Sequence, residues 1–479
     1  MKVLMLNPPF LPRFSRSQRS PAVTKGGTLY YPFWLAYATG VLEEEGHEVR
    51  LVDAPAEGRD LKGTIDYTRD FKPSLVVLDT STPSIYNDVK VGELIKEALP
   101  ESFIVLVGTH PSALPEETLK LSSKIDAVAR EEYDYTVLEL AESLEDNSSL
   151  DSVDGLSFRS GEDITHNRER KLIEDVDKLP FLSRVYKRHL NIKNYYFAAA
   201  DYPVIQIITA RGCPNRCFFC LYPQTFHRRK FRPRTAGNVV EEFFYIKDNF
   251  PEVKEIGFED DTFTASRKRA REICKILIEN KNRQKWYTNV RSDLDFETMA
   301  LMKEAGCRLV TVGFESASQK VLDGMHKGLK LEQSIEFMTY AKKLRILVHG
   351  CIMVGNPGET RKTMEESLDL AKKLGCDSMQ FYPLIVYPGT EAYEWAKAHG
   401  YLLTEDFSQW LTSTYAHNCV ISFPHLTREE MVDFCERAYN RYHFNFKYLA
   451  GKLLQMVVSP SEGRRTIRSS LKYLAYLRR

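Results

Sequence analysis

Residues 211–220 read RGCPNRCFFC and place three cysteines, Cys213, Cys217 and Cys220, on one stretch in a CxxxCxxC spacing. This stretch follows a short apolar run, VIQIIT at Val204–Thr209, which has the composition of a buried β-strand. Three thiols so close together on one loop can point at a common centre. The stretch therefore predicts a metal or cluster site at the end of a strand.

The number of thiols limits what the loop can bind. An iron–sulfur cube has four irons and normally takes four thiolates. Three thiolates leave one iron open, and an open iron can bind and activate a small ligand. The alternative is a zinc tripod with a distant fourth ligand, although zinc loops usually carry paired CxxC or HxxxH spacings, and the sequence has no second pair.

The CxxxCxxC loop after a first strand resembles the signature of the radical S-adenosylmethionine (radical SAM) enzymes. The resemblance implies that the three cysteines hold a [4Fe–4S] cluster, whose open iron is chelated by the amino and carboxylate groups of SAM. It also implies an external one-electron donor such as a flavodoxin or ferredoxin. One electron then splits SAM to give a 5′-deoxyadenosyl radical.

Composition sets the broad class of protein. The chain has 479 residues, 43% of them hydrophobic and 27% charged, so two or three globular domains are expected. The formal net charge of +1 gives no general case for nucleic acid binding. The N-terminal apolar run is too short for a signal peptide, and no run of about 18 apolar residues predicts a transmembrane helix. Nine cysteines without a disulfide pattern fit a reducing cytoplasm.

Residues 1–145 alternate short apolar strands with helical patterns, which predicts a Rossmann-like, doubly wound parallel sheet. The expected strands are Lys2–Leu6, Val49–Val52, Leu75–Leu78, Phe103–Val107 and Ile125–Ala129. The expected helices are Trp34–Glu45 and Ile85–Leu99. Ligands of such sheets lie beyond the carboxyl ends of the strands.

Two strand-end segments, VGTHPSALPEE and IDAVAREEYDYTVLEL, resemble the cobalamin-binding domain that precedes many radical SAM cores. The usual versions read closer to GGPH and RGEGE, so this copy departs at Thr109, Glu132 and Tyr133. The resemblance implies cobalamin contacts at the strand ends, from Asn7, Pro8, Thr80, Ser81, Gly108, Thr109, His110 and Glu131. The alternative is a Rossmann-like domain that binds no cofactor.

The loop after the first strand, NPPFLPRF, lacks the histidine of the DxHxxG motif that ligates cobalt from below in many cobalamin domains. A cobalamin bound here would lack a lower histidine ligand from this loop. His110 is expected to hydrogen-bond to the backbone rather than to ligate cobalt. Residues 11–32 form a long basic insertion, which predicts either a solvated face or a flap over cofactor or substrate.

Residues 146–203 are expected to be a linker, and residues 204–400 show six strand–helix units, which predict a partial (β/α)6 barrel. The expected strands are Val204–Thr209, Val253–Phe258, Trp286–Val290, Leu309–Gly313, Leu347–Val354 and Ser378–Val386. The expected helices are Thr235–Asn249, Ser266–Asn280, Glu297–Ala305, Leu331–Leu344 and Thr360–Leu374. The chemistry of such a barrel lies at the carboxyl ends of its strands.

The ends of the second and third barrel strands carry charged residues that resemble SAM contacts. Glu259, Asp260 and Asp261 follow the second strand, where the family places the site for the SAM amino group. A helix N-cap would account for one of these acids. Arg291 follows the third strand and is a candidate for the SAM carboxylate, because arginine pairs well with carboxylates.

The fourth and fifth strand ends also resemble family elements. GFESAS supplies Glu315 and Ser316 and is similar to GxESGS, which binds the ribose, although Ala317 replaces the usual glycine. MVGNPGET is similar to GLPGET, which implies that Val354 and Gly355 pack on adenine.

The positions of the remaining cysteines argue against some branches of the radical SAM family. No cysteine precedes Cys213, which argues against the auxiliary cluster of the tRNA methylthiotransferases. Cys274, Cys307 and Cys351 are expected in apolar packing. Cys419 could be a free catalytic thiol.

Residues 401–479 predict a helical C-terminal domain with helices at Arg428–Tyr442, Asn445–Val458 and Arg464–Tyr476. From Asn445 onward there is one acid, Glu462, against a group of basic residues: Lys447, Lys452, Arg464, Arg465, Arg468, Lys472, Arg478 and Arg479. The interpretations are a solvated face, or contact with an anionic membrane surface or an anionic substrate.

Together these features predict a cobalamin-dependent radical SAM enzyme, a C-methyltransferase that places a methyl group from methylcobalamin on an unactivated carbon. The alternative is radical chemistry without methyl transfer, such as ring formation, carbon–carbon coupling or rearrangement. The expected partner is a small molecule, with lipids and other hydrophobic metabolites among the candidates, and no nucleic acid. The expected location is the cytoplasm or its membrane surface, and the pattern assigns no catalytic residue.

Overall fold

The computed structural model describes residues 1–477. The strands of its first sheet are β1 (Lys2–Asn7), β2 (Glu48–Asp53), β3 (Leu75–Thr80), β4 (Phe103–Gly108), β5 (Ala127–Ala129), β6 (Leu156–Ser160) and β7 (Asp163–His166). They lie in the order β2-β1-β3-β4-β5-β6-β7. Strands β1 to β5 are parallel, and the β6–β7 hairpin from the predicted linker adds an antiparallel edge.

Helices cover both faces of this sheet. They are α1 (Phe33–Glu44), α2 (Ala54–Glu57), α3 (Leu61–Phe71), α4 (Ile85–Ala98), α5 (Thr109–Ala113), α6 (Pro115–Lys120), α7 (Asp134–Glu145) and α8 (Leu182–His189). Successive residues of a strand point to opposite faces. Accordingly Val3 and Met5 of β1 join one apolar core, and Leu4 and Leu6 join another. The predicted doubly wound sheet is confirmed.

Helix α3 is absent from the sequence-based prediction for a physical reason. Its fully buried residues are Thr64 and Thr68, and its apolar residues Ile65, Tyr67 and Phe71 are only partly buried against the core, so the apolar stripe on which helix prediction depends is interrupted by polar residues.

The strands of the second sheet, with a short β-ribbon beside it, are β8 (Val204–Ile207), β9 (Ala210–Arg211), β10 (Arg232–Pro233), β11 (Glu255–Phe258), β12 (Lys285–Val290), β13 (Cys307–Glu315), β14 (Leu347–Val354) and β15 (Ser378–Pro383). The sheet is wholly parallel in the order β8-β11-β12-β13-β14-β15, and β9 pairs with β10 separately. Six parallel strands in sequence order confirm the predicted (β/α)6 arrangement.

The helices of this half and of the C-terminal region include the eight predicted ones, within four residues of their predicted bounds, and three short helices that the sequence did not predict, at Tyr222–Thr225, Gln319–Gly324 and Glu391–Ala398. They are α9 (Tyr222–Thr225), α10 (Ala236–Asn249), α11 (Arg267–Glu279), α12 (Phe296–Glu304), α13 (Gln319–Gly324), α14 (Leu331–Leu344), α15 (Arg361–Leu374), α16 (Glu391–Ala398), α17 (Arg428–His443), α18 (Phe446–Val458) and α19 (Pro460–Leu477). Single 3₁₀ turns occur at Thr82–Ser84, Leu150–Ser152, Val176–Lys178, Ile192–Asn194, Phe263–Ala265 and Phe407–Trp410. None of the helices in residues 1–477 combines the length and hydrophobicity needed to cross a bilayer. Arg478 and Arg479 lie outside the described residues.

A buried group of charges joins the two sheets. Arg211 of β9 makes a two-pronged ion pair with Asp134 at the start of α7, with N–O distances of 2.7 and 3.0 Å. Glu132 accepts hydrogen bonds from Arg232 of β10 and from His227 Nδ1, the latter at 2.8 Å. Each of these side chains is at most 4% exposed. Buried charges of this kind are stable only when paired, so the network locks the halves together.

The ion network predicts that removing the charge of the buried Glu132 lowers the free energy of unfolding more than removing the charge of a surface glutamate. Burial by itself would raise the pKa of Glu132, but Arg232, Arg211 and His227 outweigh it and hold the pKa well below 4.5. The stabilisation is therefore complete above pH 4.5 and is lost as the pH falls through the depressed pKa. Glu132→Gln should lower the free energy of unfolding by about 3–5 kcal/mol at neutral pH, measured by urea unfolding.

Glu169 provides the matched control, because it pairs with Arg228 on the surface and its side chain is 70% exposed. Glu169→Gln should change the free energy of unfolding by less than about 1 kcal/mol. Equal effects of the two substitutions, or a Glu132→Gln effect that does not shrink in acid, would contradict the proposed network.

Candidate active site

The cysteine loop leaves the β9–β10 ribbon through a glycine that no other residue can replace. Gly212 has a φ of +77°, and a Cβ at this position would lie 2.2 Å from the carbonyl oxygen of Lys230. Further along the loop, Phe218 N donates to Met325 O, and Phe218 O accepts from Ala392 N, both at 3.1 Å. The loop is thus attached to the barrel at both ends.

The three predicted cluster ligands lie together at the carboxyl end of the second sheet. Cys213 is buried, and its sulfur accepts a hydrogen bond from Asn215 Nδ2 at 3.2 Å. Cys217 and Cys220 are partly buried and close enough to each other and to Cys213 to interact electrostatically. Burial raises the pKa of both thiols, and the Asp261 carboxylate adds to the shift at Cys220.

The three cysteine sulfurs do not form a preorganised single-ion site. Within residues 1–477, no three histidine, cysteine or acidic side chains surround one point at the distances a single metal ion requires. A four-iron cube is a larger guest and takes its thiolates on different irons. The cations bound there would also supply the positive charge that these buried thiols need in order to ionise.

The three acids after β11 have different roles. Glu259 Oε1 accepts hydrogen bonds from Tyr287 OH at 2.8 Å and from Gln206 Nε2 at 2.9 Å. Asp260 is buried, and one of its carboxylate oxygens accepts from the backbone of Thr209 and Ala210. Asp260 therefore fixes the root of the cysteine loop, and Glu259 and Asp261 are the acids with contacts beyond the barrel.

Those contacts come from Arg19 of the basic insertion. Arg19 is a positioning residue that sequence patterns do not reveal. Arg19 donates to Asp261 Oδ1 at 3.2 Å and to the carbonyl oxygens of Glu259 and Asp260 at 2.8 and 2.6 Å. Tyr30, at the other end of the insertion, lines the same cavity as Arg19 and the three acids. The insertion is a flap over the barrel mouth rather than a solvated face.

Glu315 has the strongest marks of a ligand-binding residue. It lies at the end of β13 with a φ of +65°, a conformation that costs energy for a non-glycine residue and is concentrated at functional sites. Its Oε1 accepts from Lys327 Nζ at 2.7 Å. Its Oε2 is buried and has no hydrogen-bond partner among residues 1–477, so it is available to a bound molecule.

The other predicted SAM residues differ in whether they face an open cavity or are packed within the protein. Arg291 lines an open cavity beside the cysteine loop and donates to the carbonyl oxygen of Lys327 at 2.9 Å. Ser316 is turned toward its own backbone, where its oxygen accepts from Ser318 N at 3.1 Å. Val354 is buried at the end of β14, and Gly355 packs toward Met431 of α17.

The predicted cobalamin residues occupy the carboxyl edge of the first sheet. Asn7 Oδ1 and Pro8 O both accept hydrogen bonds from Arg16 of the insertion, at 2.6 and 2.9 Å. Ser81 is paired with Ser84 in the turn before α4. Gly108 has a φ of +115°, and a Cβ there would lie 2.2 Å from Thr80 O, so the backbones of β3 and β4 approach closely at this edge.

His110 and Glu131 are held by neighbouring side chains. His110 Nδ1 lies 3.2 Å from Thr82 Oγ1, and its ring packs edge-on against Phe407. Burial lowers the pKa of His110 to about 3, so the ring is neutral. Glu131 follows Arg130 in a left-handed conformation and pairs with Arg228 of the second half. Thr109 is buried at the first residue of α5.

Unpaired polar atoms gather at the same edge. Asp79 Oδ2, Thr80 Oγ1, Tyr133 OH and Ser17 Oγ are buried and have no hydrogen-bond partner within residues 1–477. Burial raises the pKa of Asp79 to about 7. Buried polar groups without partners are costly and uncommon, so this group indicates a polar ligand between the two halves.

Two expectations about the remaining cysteines need correction. Cys351 is only half-buried rather than enclosed in apolar packing, and it lies on β14 beside β15. Cys419 is fully buried and donates to Ile421 O. Burial raises the pKa of the Cys419 thiol to about 12, which is not the environment of a catalytic thiol.

Two family models match the chain, the radical SAM superfamily over residues 207–371 and the B12 binding domain over residues 19–141. The fold and site therefore define a radical SAM enzyme with a cobalamin domain. The chain belongs to the cobalamin-dependent radical SAM methyltransferase family. The cofactors of this family are a [4Fe–4S] cluster, SAM and cobalamin, and the residues present fit all three.

Known proteins resemble the chain over most of its length. An uncharacterised methyltransferase of Pyrococcus horikoshii is 32% identical over 450 residues, which cover 94% of each chain. The cytidylyl-2-hydroxyethylphosphonate methyltransferase of Streptomyces wedmorensis is 27% identical over 78% of this chain and 79% of its own. The radical SAM methyltransferase TsrM of Kitasatospora setae, solved with cobalamin and a [4Fe–4S] cluster, has a TM-score of 0.66 at 18% identity. That match covers 90% of this chain and 80% of TsrM.

The cysteine geometry predicts which thiols carry iron. Anaerobically reconstituted protein should hold about four irons per chain, and Cys213→Ala should lose most of them together with the visible absorption of the cluster. Cys274→Ala is the matched control, because Cys274 is a buried cysteine of helix α11, outside the loop. Normal iron content and SAM cleavage in Cys213→Ala would refute the site.

Proposed function

We propose that this protein is a C-methyltransferase that modifies an unactivated carbon of a small molecule. The observations that carry the proposal are the closeness of the cysteine loop to Glu315 and Asp261, which lie near enough to interact electrostatically, and the small cavity beside Asp261 that residues of both halves line. The bound cofactors would supply the radical chemistry and the transferable methyl group. The protein itself positions them and excludes water.

In this proposal the SAM contacts come from residues at three strand ends. Glu315 Oε2 is the unpaired acceptor offered to the ligand, and Arg291 is the cation for its carboxylate. The positive φ of Glu315 is supported by its ion pair with Lys327. Asp261 and Glu259 complete the acidic wall, and Arg19 holds both acids in place.

The proposed substrate position is the interior of the barrel. Thr311, His349, Cys351, Gln380 and Tyr382 alternate along β13, β14 and β15 and are half-buried. Alternate residues of a strand share a face, and Tyr382 is close enough to Glu315 and Cys220 to interact electrostatically. This lining offers a thiol, a phenol, an amide and a hydroxyl to a small polar or amphipathic molecule. Burial lowers the pKa of His349 to about 4, so the ring is a neutral hydrogen-bonding group.

The proposed entry point for the electron is the outer side of the cysteine loop. Pro214, Asn215 and Arg216 border an open cavity of about 680 Å³, which Arg229 and Arg291 also line, together with the acids Asp323 and Glu391. A basic surface beside the cluster suits an acidic one-electron donor such as a flavodoxin or ferredoxin. Free thiols at all nine cysteines suit the reducing cytoplasm that we propose for the enzyme.

The products of SAM test methyl transfer directly. Protein reconstituted with cluster and cobalamin and incubated anaerobically with SAM and a reductant should form both 5′-deoxyadenosine and S-adenosylhomocysteine, quantified by mass spectrometry. The first reports radical formation and the second reports methyl transfer. Formation of 5′-deoxyadenosine alone, with no corrinoid retained by the protein, would favour radical chemistry without methyl transfer.

Glu315 should be important for SAM affinity. Glu315→Gln keeps the size of the side chain but removes its charge, and SAM affinity should fall about 10- to 100-fold, the range expected for a charged hydrogen bond. The measurement is equilibrium dialysis with cluster-reconstituted protein. Glu332→Gln on the adjoining helix α14 is the control, and equal affinities for the two variants would contradict the role of Glu315.

A further inference from the structure

The C-terminal helices expose an apolar surface that the proposed function does not use. On α18 the exposed fractions are 89% for Phe446, 65% for Leu454, and 74% for both Val457 and Val458. With Leu449 and Leu453 these residues recur every three or four positions, which places them in one stripe along the helix. A soluble helix normally buries such a stripe against its own protein.

The stripe faces outward because the other side of α18 is fastened to the body. Tyr448 OH donates to Asp377 O at 2.9 Å, and Gln455 Nε2 donates to Asp377 Oδ1 at 3.2 Å. Lys452 lies on the same inward side, within 4.0 Å of Asp377. The polar side of the helix is therefore the docked side, and the apolar side is left to a partner.

Helix α19 has the same character. Ile467, Leu471 and Leu474 are between 51% and 61% exposed. The helix is anchored by Glu462, which pairs with the buried Arg308 at 2.6 Å, and by Ser469 Oγ, which donates to Ala198 O at 2.9 Å. Both helices thus present apolar side chains from a rigid base.

The charge of this surface, the C-terminal hairpin 445–477, selects among possible partners. It holds one acid, Glu462, which is buried in an ion pair. Its exposed basic residues are Lys447, Arg464 and Arg468, while Lys452, Arg465 and Lys472 turn toward the body of the protein. A second copy of the chain would bring equal positive patches together across a two-fold axis. An apolar stripe flanked by basic side chains instead matches an anionic bilayer surface.

We propose that the C-terminal hairpin 445–477 docks the enzyme on an anionic membrane surface. The apolar stripe of α18, with the exposed apolar residues of α19, enters the interface between headgroups and acyl chains, and Lys447, Arg464 and Arg468 contact the anionic headgroups. The helices lie in the plane of the surface, because no helix in residues 1–477 is long and apolar enough to span it.

Vesicle flotation with the full-length protein tests the proposal without reference to catalysis. The protein should float with phosphatidylcholine vesicles that contain phosphatidylglycerol, and it should bind pure phosphatidylcholine vesicles several-fold less. Leu454→Glu should weaken partitioning about tenfold or more, since it puts a charge in the apolar stripe. The matched control is Leu403→Glu, at a leucine that is 50% exposed outside the hairpin, which should bind like the original chain.

Light scattering after gel filtration addresses the competing partner. A dimer that Leu454→Glu dissociates, with no flotation by the original chain, would overturn the proposal and make the stripe an interface between copies. Equal flotation by the two glutamate variants would also overturn it, because binding would then not depend on the hairpin.

Discussion

The ion pair between Arg211 and Asp134 is the contact on which the rest of the site depends. Arg211 stands directly before Gly212 and Cys213, so its guanidinium fixes the start of the cysteine loop against the first sheet. Its neighbours Glu132, His227 and Arg232 extend the contact into one buried network. Separating the halves would expose or strand several charges. The cluster position and the cobalamin edge are therefore held in one geometry, which is what transfer between two cofactors requires.

The insertion 11–32 adds a second connection between the halves. Arg16 pairs with Asp88 of the first half inside the protein, and Arg19 holds Glu259 and Asp261 at the mouth of the barrel. A single segment thus contacts residues of both candidate cofactor sites. Tyr30 and the residues around Arg19 line the small cavity between the halves.

Sequence patterns predict most of this fold, because buried parallel strands are written as continuous apolar runs and the cysteine spacing is local. They do not reveal which of several similar residues reaches the ligand. Asp260 is an acid like its neighbours Glu259 and Asp261, yet its carboxylate accepts a hydrogen bond from the backbone of Thr209. The case for Glu315 as a ligand-binding residue depends on its positive φ and its unpaired Oε2 atom, and only the tertiary structure shows both. Likewise, the sequence left open whether the C-terminal helices face solvent or a partner, and only the structure shows that the apolar side of α18 faces outward.

The proposed reaction requires two cofactors to be held close together in one rigid protein. Electron paramagnetic resonance of the anaerobically reduced protein, loaded with cluster and with cobalamin in its paramagnetic Co(II) state, measures this directly. Two unpaired spins held close together should broaden or split each other's signals through dipolar coupling. The predicted result is such a coupling, abolished in protein that lacks either cofactor. Two independent, unperturbed signals, or a protein that retains no corrinoid, would contradict the account.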